Sequence, residues 1–563
     1  MPEPEANSCK KLYIIDAIGP FFKYYHKTTI NWSKIPFHHL ETQGRVNRDV
    51  FQDIRKDFAT LLEQFVQMGY TAISLDDVAH LVSFDVYPDA LQEKIQAYQE
   101  EFQQLFRLAK AQNLKIFLNT DIMFFNPWIQ SWTEGKDEKI LQCLTLAFTK
   151  LFTQFPIDGI ILRIGEPDGV DVQDDFLSRL TLKTPKQANY YLRELLPIFE
   201  QLKKYLIFRT WTVGVYQIGD LIWNEKTYEQ VLQGVDSPYF IVSMKYGNTD
   251  FFDQLTLNPL FFKGSCQKIL ELQTRREREG FGVLPYYVGW QYESYYHQLR
   301  DVETLVGISV WCQTGGWTQW HNLTFLHDSS VWNELNTFAT IKIFHEGMSA
   351  KQALKHFFPD PRVAKFVKRY HQVLNHILYI DGFSDQEFYF RRLRIPPLLW
   401  VSWDHVTISP LLISLLNYAG QTRFKRGKKK LRKILALGQE LGIQDIDFLY
   451  DTLKILSHCR KTLWKNSSET KLQKQISAYK QTYPDSFAFS AKLSSHHRFQ
   501  MVNQLLFNVL LRKQPEYRLI DRLLTSKVFS WLFYLVFHLL YGRSNNLPEF
   551  VDKQAMKLKT LFK

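Results

Sequence analysis

Residues 157–166, Ile-Asp-Gly-Ile-Ile-Leu-Arg-Ile-Gly-Glu, are the stretch whose reading decides the fold. The inner run 159–163 (GIILR) is apolar and β-branched, and it stops against Arg163 and Glu166. Continuous apolar runs of this kind read as strands covered on both faces, as in a parallel sheet. The unit recurs in both directions. Upstream lie 12–16 (LYIID), 71–75 (TAISL) closed by Asp76 and Asp77, and 114–118 (LKIFL) closed by Asn119 and Asp121. Downstream lie 205–209 (YLIFR) with Trp211 beyond it, 239–245 (YFIVSMK), and 307–311 (GISVW), which precedes Trp317. Amphipathic stretches separate the runs. Residues 50–68 carry apolar side chains at 3–4 spacing and end at Gly69, and 90–112 form a second such stretch.

Strand alternating with helix is the pattern of an α/β fold with a parallel sheet. Eight such strands over residues 11–330 fit a (β/α)8 TIM barrel. A doubly wound sheet would place a Gly-rich phosphate turn after the first strand, and residues 14–20 (IIDAIGP) contain none. Two segments compete for the seventh strand, 268–274 (KILELQT) and 283–288 (VLPYYV).

The chain has 563 residues, of which 45% are hydrophobic and 15% aromatic, more rings than a core alone needs. The net charge of +12 is divided unevenly: residues 331–563 hold about 37 Lys and Arg against about 17 Asp and Glu, so the first part is acidic and the second basic. We therefore read residues 1–10 as a tail, 11–330 as the barrel, and 331–563 as a basic, mainly α-helical C-terminal domain. The five cysteines are scattered and form no C-x-x-C pair, which argues against a disulfide framework or a zinc site. No apolar leader follows Met1, so a cytoplasmic location is the expectation. Neither a metal nor a cofactor is called for.

In this fold the C-terminal strand ends build the active site. The ends here carry Asp16, Asp77, Asn119, Asp121, Arg163, Arg209, Lys245, Trp211, Trp311 and Trp317. No G-x-S-x-G elbow or H-E-x-x-H pair is present, and His38-His39 sit in a polar context that reads as solvated. Carboxylates beside cations and indole rings remain, the equipment that glycoside hydrolysis divides between acid and base. Arg209 and Lys245 suit an anionic group such as a sugar carboxylate. The tryptophans, with Trp290 and Trp320, suit sugar faces.

At these strand ends the chain resembles glycoside hydrolase family 67, the α-glucuronidases. The likeness is carried by IDGIILRIGEPDG (157–169), LIFRTWTVG (206–214), IVSMKYGNTDFFDQLTLNPLF (241–261) and ILELQTRREREG (269–280), with ATIKIFHEGMSAKQALKHFF (339–358) downstream. It implies that Glu166 is the catalytic acid and that Asp250 and Glu277 orient the attacking water. It also implies that Arg209 and Lys245 hold the uronate, with Arg163 as a further contact. The implied activity is an inverting O-glycosyl hydrolase acting on a carbohydrate with an acidic sugar. The resemblance favours residues 268–274 as strand seven. A non-catalytic barrel that binds glycan or polyanion, anchored by the basic domain, is the alternative.

In the second half, Ser349 can cap a helix through 358, and 362–380 and 428–441 have helical apolar spacing. Residues 423–433 (RFKRGKKKLRK) are the densest basic run. They read as a solvated face or as an anion-binding patch, and the apolar run 528–541 (VFSWLFYLVFHLLY) reads as a buried helix of the C-terminal domain or as an interfacial one; together they could meet an anionic membrane surface or an acidic partner, in peripheral association. Fourteen residues at about 1.5 Å rise fall short of a bilayer core of about 30 Å. No recognisable nucleic-acid module is present, so nucleic acid is not favoured.

Overall fold

The computed structural model describes residues 11–25, 34–165, 174–178, 180–212, 217–248, 250–251, 255–276, 284, 286–313, 324–326, 330–378, 400–402, 405–407, 421–465, 469–484 and 488–490. Eight parallel strands close into a barrel: β1 (Leu12–Asp16), β2 (Ala72–Asp76), β3 (Lys115–Asp121), β4 (Gly159–Arg163), β5 (Tyr205–Arg209), β6 (Phe240–Lys245), β7 (Gln267–Gln273) and β8 (Leu305–Trp311). β8 pairs with β1 in the register Leu12↔Gly307 through Ile15↔Val310, which completes the ring. The seventh strand is the 267–273 segment, the one of the two competing runs that the resemblance favoured.

Helices cover the outside: α1 (Arg48–Met68), α2 (Asp89–Ala111), α3 (Pro127–Thr133), α4 (Asp137–Gln154), α5 (Pro185–Leu202), α6 (Glu225–Leu232), α7 (Gly289–Leu299) and α8 (Val331–Glu346). Four of the eight start at a side-chain cap, on Asn47, Asn126, Thr184 and Asn224. Asn47 caps α1 by accepting from the amides of Asp49 and Val50, and Gly69 ends it at a positive φ of 112°. Between β6 and β7 the described chain makes only a 3-10 turn, Pro259–Phe262.

Alternation along the strands explains both the core and the site. Leu12, Ile14, Ala72, Phe117, Ile161, Ile207, Ile241 and Ile269 fill the barrel interior, while their sequence neighbours face the helices in a larger second core. Followed toward the C-terminal ends, the inner face turns polar. Ile14 gives way to Asp16, Phe117 to Asn119 and Asp121, Ile161 to Arg163, Ile207 to Arg209, Ile241 to Ser243 and Lys245, and Ile269 to Glu271.

The charge split at residue 330 is not the packing boundary. α8 is the barrel's eighth helix: Asn333 Nδ2 donates to the Cys312 carbonyl, Asn336 Nδ2 to those of Thr274 and Tyr286, and the Thr337 carbonyl accepts from Tyr70 Oη. Beyond it come α9 (Ala350–Phe357), with Ser349 and Gln352 forming a capping box, then α10 (Pro361–Leu378), α11 (Gln421–Glu440), α12 (Ile446–Lys465) and α13 (Glu469–Thr482). α11 runs antiparallel to α10, since Gly427 lies against His376 and Gly438 against Phe366. A small sheet of Trp400–Ser402, His405–Thr407 and Ala488–Ser490 completes the described C-terminal part. Among the described residues no helix is long and apolar enough to cross a membrane; the run 528–541 lies outside them.

Candidate active site

Two buried charge clusters occupy the C-terminal mouth. The first joins β5, β6, β7 and β8. Arg209 presents its Nε and Nη2 to Glu271 Oε1 and Oε2 at 2.9 and 2.8 Å, a bidentate pair with both side chains below 10% exposure. Ser243 Oγ also donates to Glu271 Oε1, at 2.8 Å. The Arg209 guanidinium lies 4.5 Å from the Trp311 ring centre. Burial would raise the Glu271 carboxyl, but Arg209, Lys245 and Ser243 together hold it below its ordinary value.

Lys245 stands next to this pair. Its Nζ donates to Asp250 Oδ1 at 2.6 Å and lies 4.1 Å from the Trp211 ring and 4.2 Å from that of Phe251. Burial, reinforced by Arg209, pulls the ammonium below its ordinary value against the attraction of Asp250. Asp250 Oδ1 also accepts from the Phe251 amide at 2.8 Å. Arg275 and Arg276, also buried, end the described part of β7's loop, and Arg276 Nη1 donates to Tyr246 Oη at 3.1 Å.

The second cluster joins β2, β3 and β4. Arg163 Nε is 2.9 Å from Asp121 Oδ1, and Arg163 Nη1 is 3.7 Å from Asp76 Oδ1. Asp121 also accepts from Lys34 Nζ at 2.7 Å and from Ser178 Oγ. Burial would raise Asp121, but Arg163 and Lys34 outweigh it and hold the carboxyl well below the carboxylate range. Asp76 is different. Its Oδ2 accepts the Ile35 amide at 3.0 Å, while Oδ1 has no hydrogen-bond donor among the described residues. Burial pushes it up to about 6, with Asp77 adding to the rise. Asn119 Oδ1, on the neighbouring strand, likewise has no donor among the described residues.

Two sequence-derived candidates have structural partners. Asp16 accepts the Cys312 and Gln313 amides at 2.5 and 3.1 Å, so its carboxylate stitches β1 to the end of β8; burial raises it to about 6. Asp77 accepts from His80 Nδ1 at 2.7 Å, and His80 Nε2 lies 2.9 Å from Asp174. His80 stacks on Phe37 at 3.6 Å between centroids. Burial opposes its charge, but the two carboxylates win and push it up to about 10.

The structure therefore gathers Arg209, Lys245, Asp250, Trp211 and Trp311 on one side of the mouth, and Arg163, Asp121 and Asn119 on the other. Glu166, Glu277, Trp317 and Trp320 lie outside the described residues. Trp290 is a packing residue, set against Tyr287 and His371, and not part of the mouth. His38 and His39 are half-buried in a 3-10 turn instead of solvated. Glu271, Lys34, Ser178, His80 and Asp174 escaped the sequence reading, and Asp76 entered it only as the residue that closes the second strand. Glu271 had a signal: alternation from Ile269 puts it inward, level with Lys245 on the neighbouring strand.

No family model matches the chain, and no curated protein matches it in sequence. Solved structures do. It is similar to a GH138 enzyme targeting pectin rhamnogalacturonan II, at 10% identity and a TM-score of 0.49, with 84% of this chain and 62% of that one covered. The chain thus spans under two thirds of that enzyme's length. It is similar to the Thermobaculum terrenum O-GlcNAc hydrolase at 11% identity, TM-score 0.37, covering 88% and 95%. It is also similar to a D-allulose 3-epimerase from Methylomonas sp. at 13% identity, TM-score 0.33, covering 60% and 99%. All three lie below a TM-score of 0.5, and they differ in chemistry, so function has to be argued from the side chains.

Proposed function

We propose that the barrel is a glycoside hydrolase. The observation that carries the reading is the polar inner face of the mouth, where carboxylates and cations from seven strands converge, with the indoles of Trp211 and Trp311 against Lys245 and Arg209. Glu166, three residues past the end of β4, takes the general-acid role. Asp250 and Glu277, past the ends of β6 and β7, position and deprotonate water on the opposite face of the sugar. This is the α-glucuronidase-like, inverting arrangement. Glu166 then needs a pKa raised to about 6–7 to hold its proton near neutrality.

An acidic, uronate-type sugar is the substrate class that fits. Glu271 takes the Nε–Nη2 edge of Arg209, which leaves the Nη1 edge of the fork for a second carboxylate, with the Lys245 ammonium adjacent. The test is turnover of a panel of aryl-glycosides that includes glucuronides, with Glu166→Gln beside the wild type. Cleavage lost in the variant supports the reading; cleavage at near wild-type rate in the variant removes Glu166 from the acid role.

One observation favours a second reading, a barrel that binds glycan without cleaving it. Asp16, Asp121, Asp250 and Glu271 are each held by a cation or a backbone amide, as structural carboxylates are. Sugar binding without turnover across the panel would select it.

A further inference from the structure

The basic run of the C-terminal part lies on α11. Phe424, Gly427, Leu431 and Ile434 are its buried stripe, and Lys425, Arg426, Lys429, Lys430, Arg432 and Lys433 are exposed. At 100° per residue the six cations fall within an arc of about 160°, along about 12 Å of helix axis. Between residues 421 and 439 there is no Asp or Glu. None of the six makes an ion pair with a described residue, whereas Lys23, Lys94, Lys110, Lys136 and Lys263 on the barrel each have a carboxylate partner. Residues 425–433 are thus a concentrated positive surface whose six cations have no carboxylate partner among the described residues, the helix's own Glu440 lying at its far end against Arg362.

We propose that this face of α11 is a docking surface for a flexible, linear polyanionic polysaccharide, delivered to the barrel as substrate. The choice of a glycan rests on the glycoside hydrolase reading; the choice of a flexible chain rests on shape. Cations spread over about 160° of a cylinder cannot all meet a plane, but a chain can wrap to reach them. The exposed positions from 425 to 433 include no apolar side chain, so this face lacks the means to insert into a bilayer. Four of the six are lysines, which act as point charges and read charge density instead of planar geometry.

Binding of fluorescein-labelled oligogalacturonate, followed by anisotropy across a salt series, tests this on the full chain. The variant Lys425→Gln/Lys429→Gln/Lys430→Gln/Lys433→Gln should bind at least about tenfold more weakly. Its log–log salt slope should be flatter by roughly 3, from about 0.7 per lost contact as for single-stranded polyanions. Its thermal midpoint should match the wild type, since the four side chains are exposed and none makes an ion pair with a described residue. Wild-type affinity in the variant, no oligogalacturonate binding by the wild type, or tighter wild-type binding to phosphatidylserine vesicles or duplex DNA would each overturn the proposal. A protein that cleaves an aryl-glycoside but fails here loses only this inference. One that binds through α11 and cleaves no glycoside loses the hydrolase reading.

Discussion

Replacing Glu271 with Gln leaves the Arg209 guanidinium without its counter-charge, at a position where the two side chains are 9% and 1% exposed. Breaking a buried ion pair from one side costs about 3–5 kcal/mol, because the remaining charge stays desolvated. Gln keeps one acceptor for Arg209 and for Ser243, which places the expected loss near the lower end, about 3 kcal/mol. For a barrel that runs to Glu346, at about 2.1 cal/mol/K of unfolding entropy per residue, that corresponds to a fall of about 4 °C in the thermal midpoint. The assay is thermal and urea unfolding of the wild type, Glu271→Gln, and the cycle of Glu271→Leu, Arg209→Met and the double variant Arg209→Met/Glu271→Leu. The double variant removes both charges and should recover most of the loss, with a coupling energy of at least about 2 kcal/mol. The pH dependence has a definite sign. Arg209, Lys245 and Ser243 depress the folded-state pKa of Glu271 below its unfolded value, despite burial. Its contribution is therefore complete above the unfolded pKa of about 4.3 and disappears as pH falls through the lower folded value. A single-variant loss under about 1 kcal/mol at pH 7, or strictly additive single losses, would refute the pair as a structural element of the mouth.

Asp76 has the opposite sign. Its folded pKa of about 6 lies above the unfolded value, so its charge destabilises the fold fully above pH 6 and not at all below about pH 4. Asp76→Asn should gain stability relative to the wild type as pH rises from 4 to 7, by up to about 3 kcal/mol; a pH-independent difference between their urea midpoints would contradict this. At the barrel seam, a Cβ on Gly307 would come within 1.9 Å of the Leu12 carbonyl oxygen. Gly307→Ala should therefore cost more than about 4 kcal/mol and yield little folded protein, and a wild-type melt would show that the seam can yield.

Much of this was legible in the chain because the strands are apolar runs bounded by charge. β1, β4 and β5 have the bounds that the runs display. β3 runs on to Asp121, past the last apolar residue, because Asn119 and Asp121 remain on the ladder opposite Ile161 and Arg163. An apolar-run reading stops where the inner face changes from core to site, and so it clips the strand at its functional end. The pairing of charges was not legible. Arg209 and Glu271 are 62 residues apart and separated by a strand, and Lys34 reaches Asp121 from a loop after β1. Sequence patterns of period 2 and 3.6 describe elements, not which cation closes on which carboxylate. α8 was misplaced for a related reason. Asn333, Asn336, Thr337 and Thr340 are buried polar residues that bond to loop carbonyls and to their own helix, so no apolar stripe announces that the helix belongs to the barrel.

The hydrolase reading meets its most direct test in the hydrolysis of aryl-glycosides by wild type and Glu166→Gln, with the anomer of the released sugar followed by NMR. An inverting site built on Glu166, Asp250 and Glu277 gives turnover of a uronate-bearing glycoside by the wild type, first release of the inverted anomer, and at least about a hundredfold loss in Glu166→Gln. No turnover of any glycoside by folded wild-type protein, or equal turnover by the variant, would contradict it.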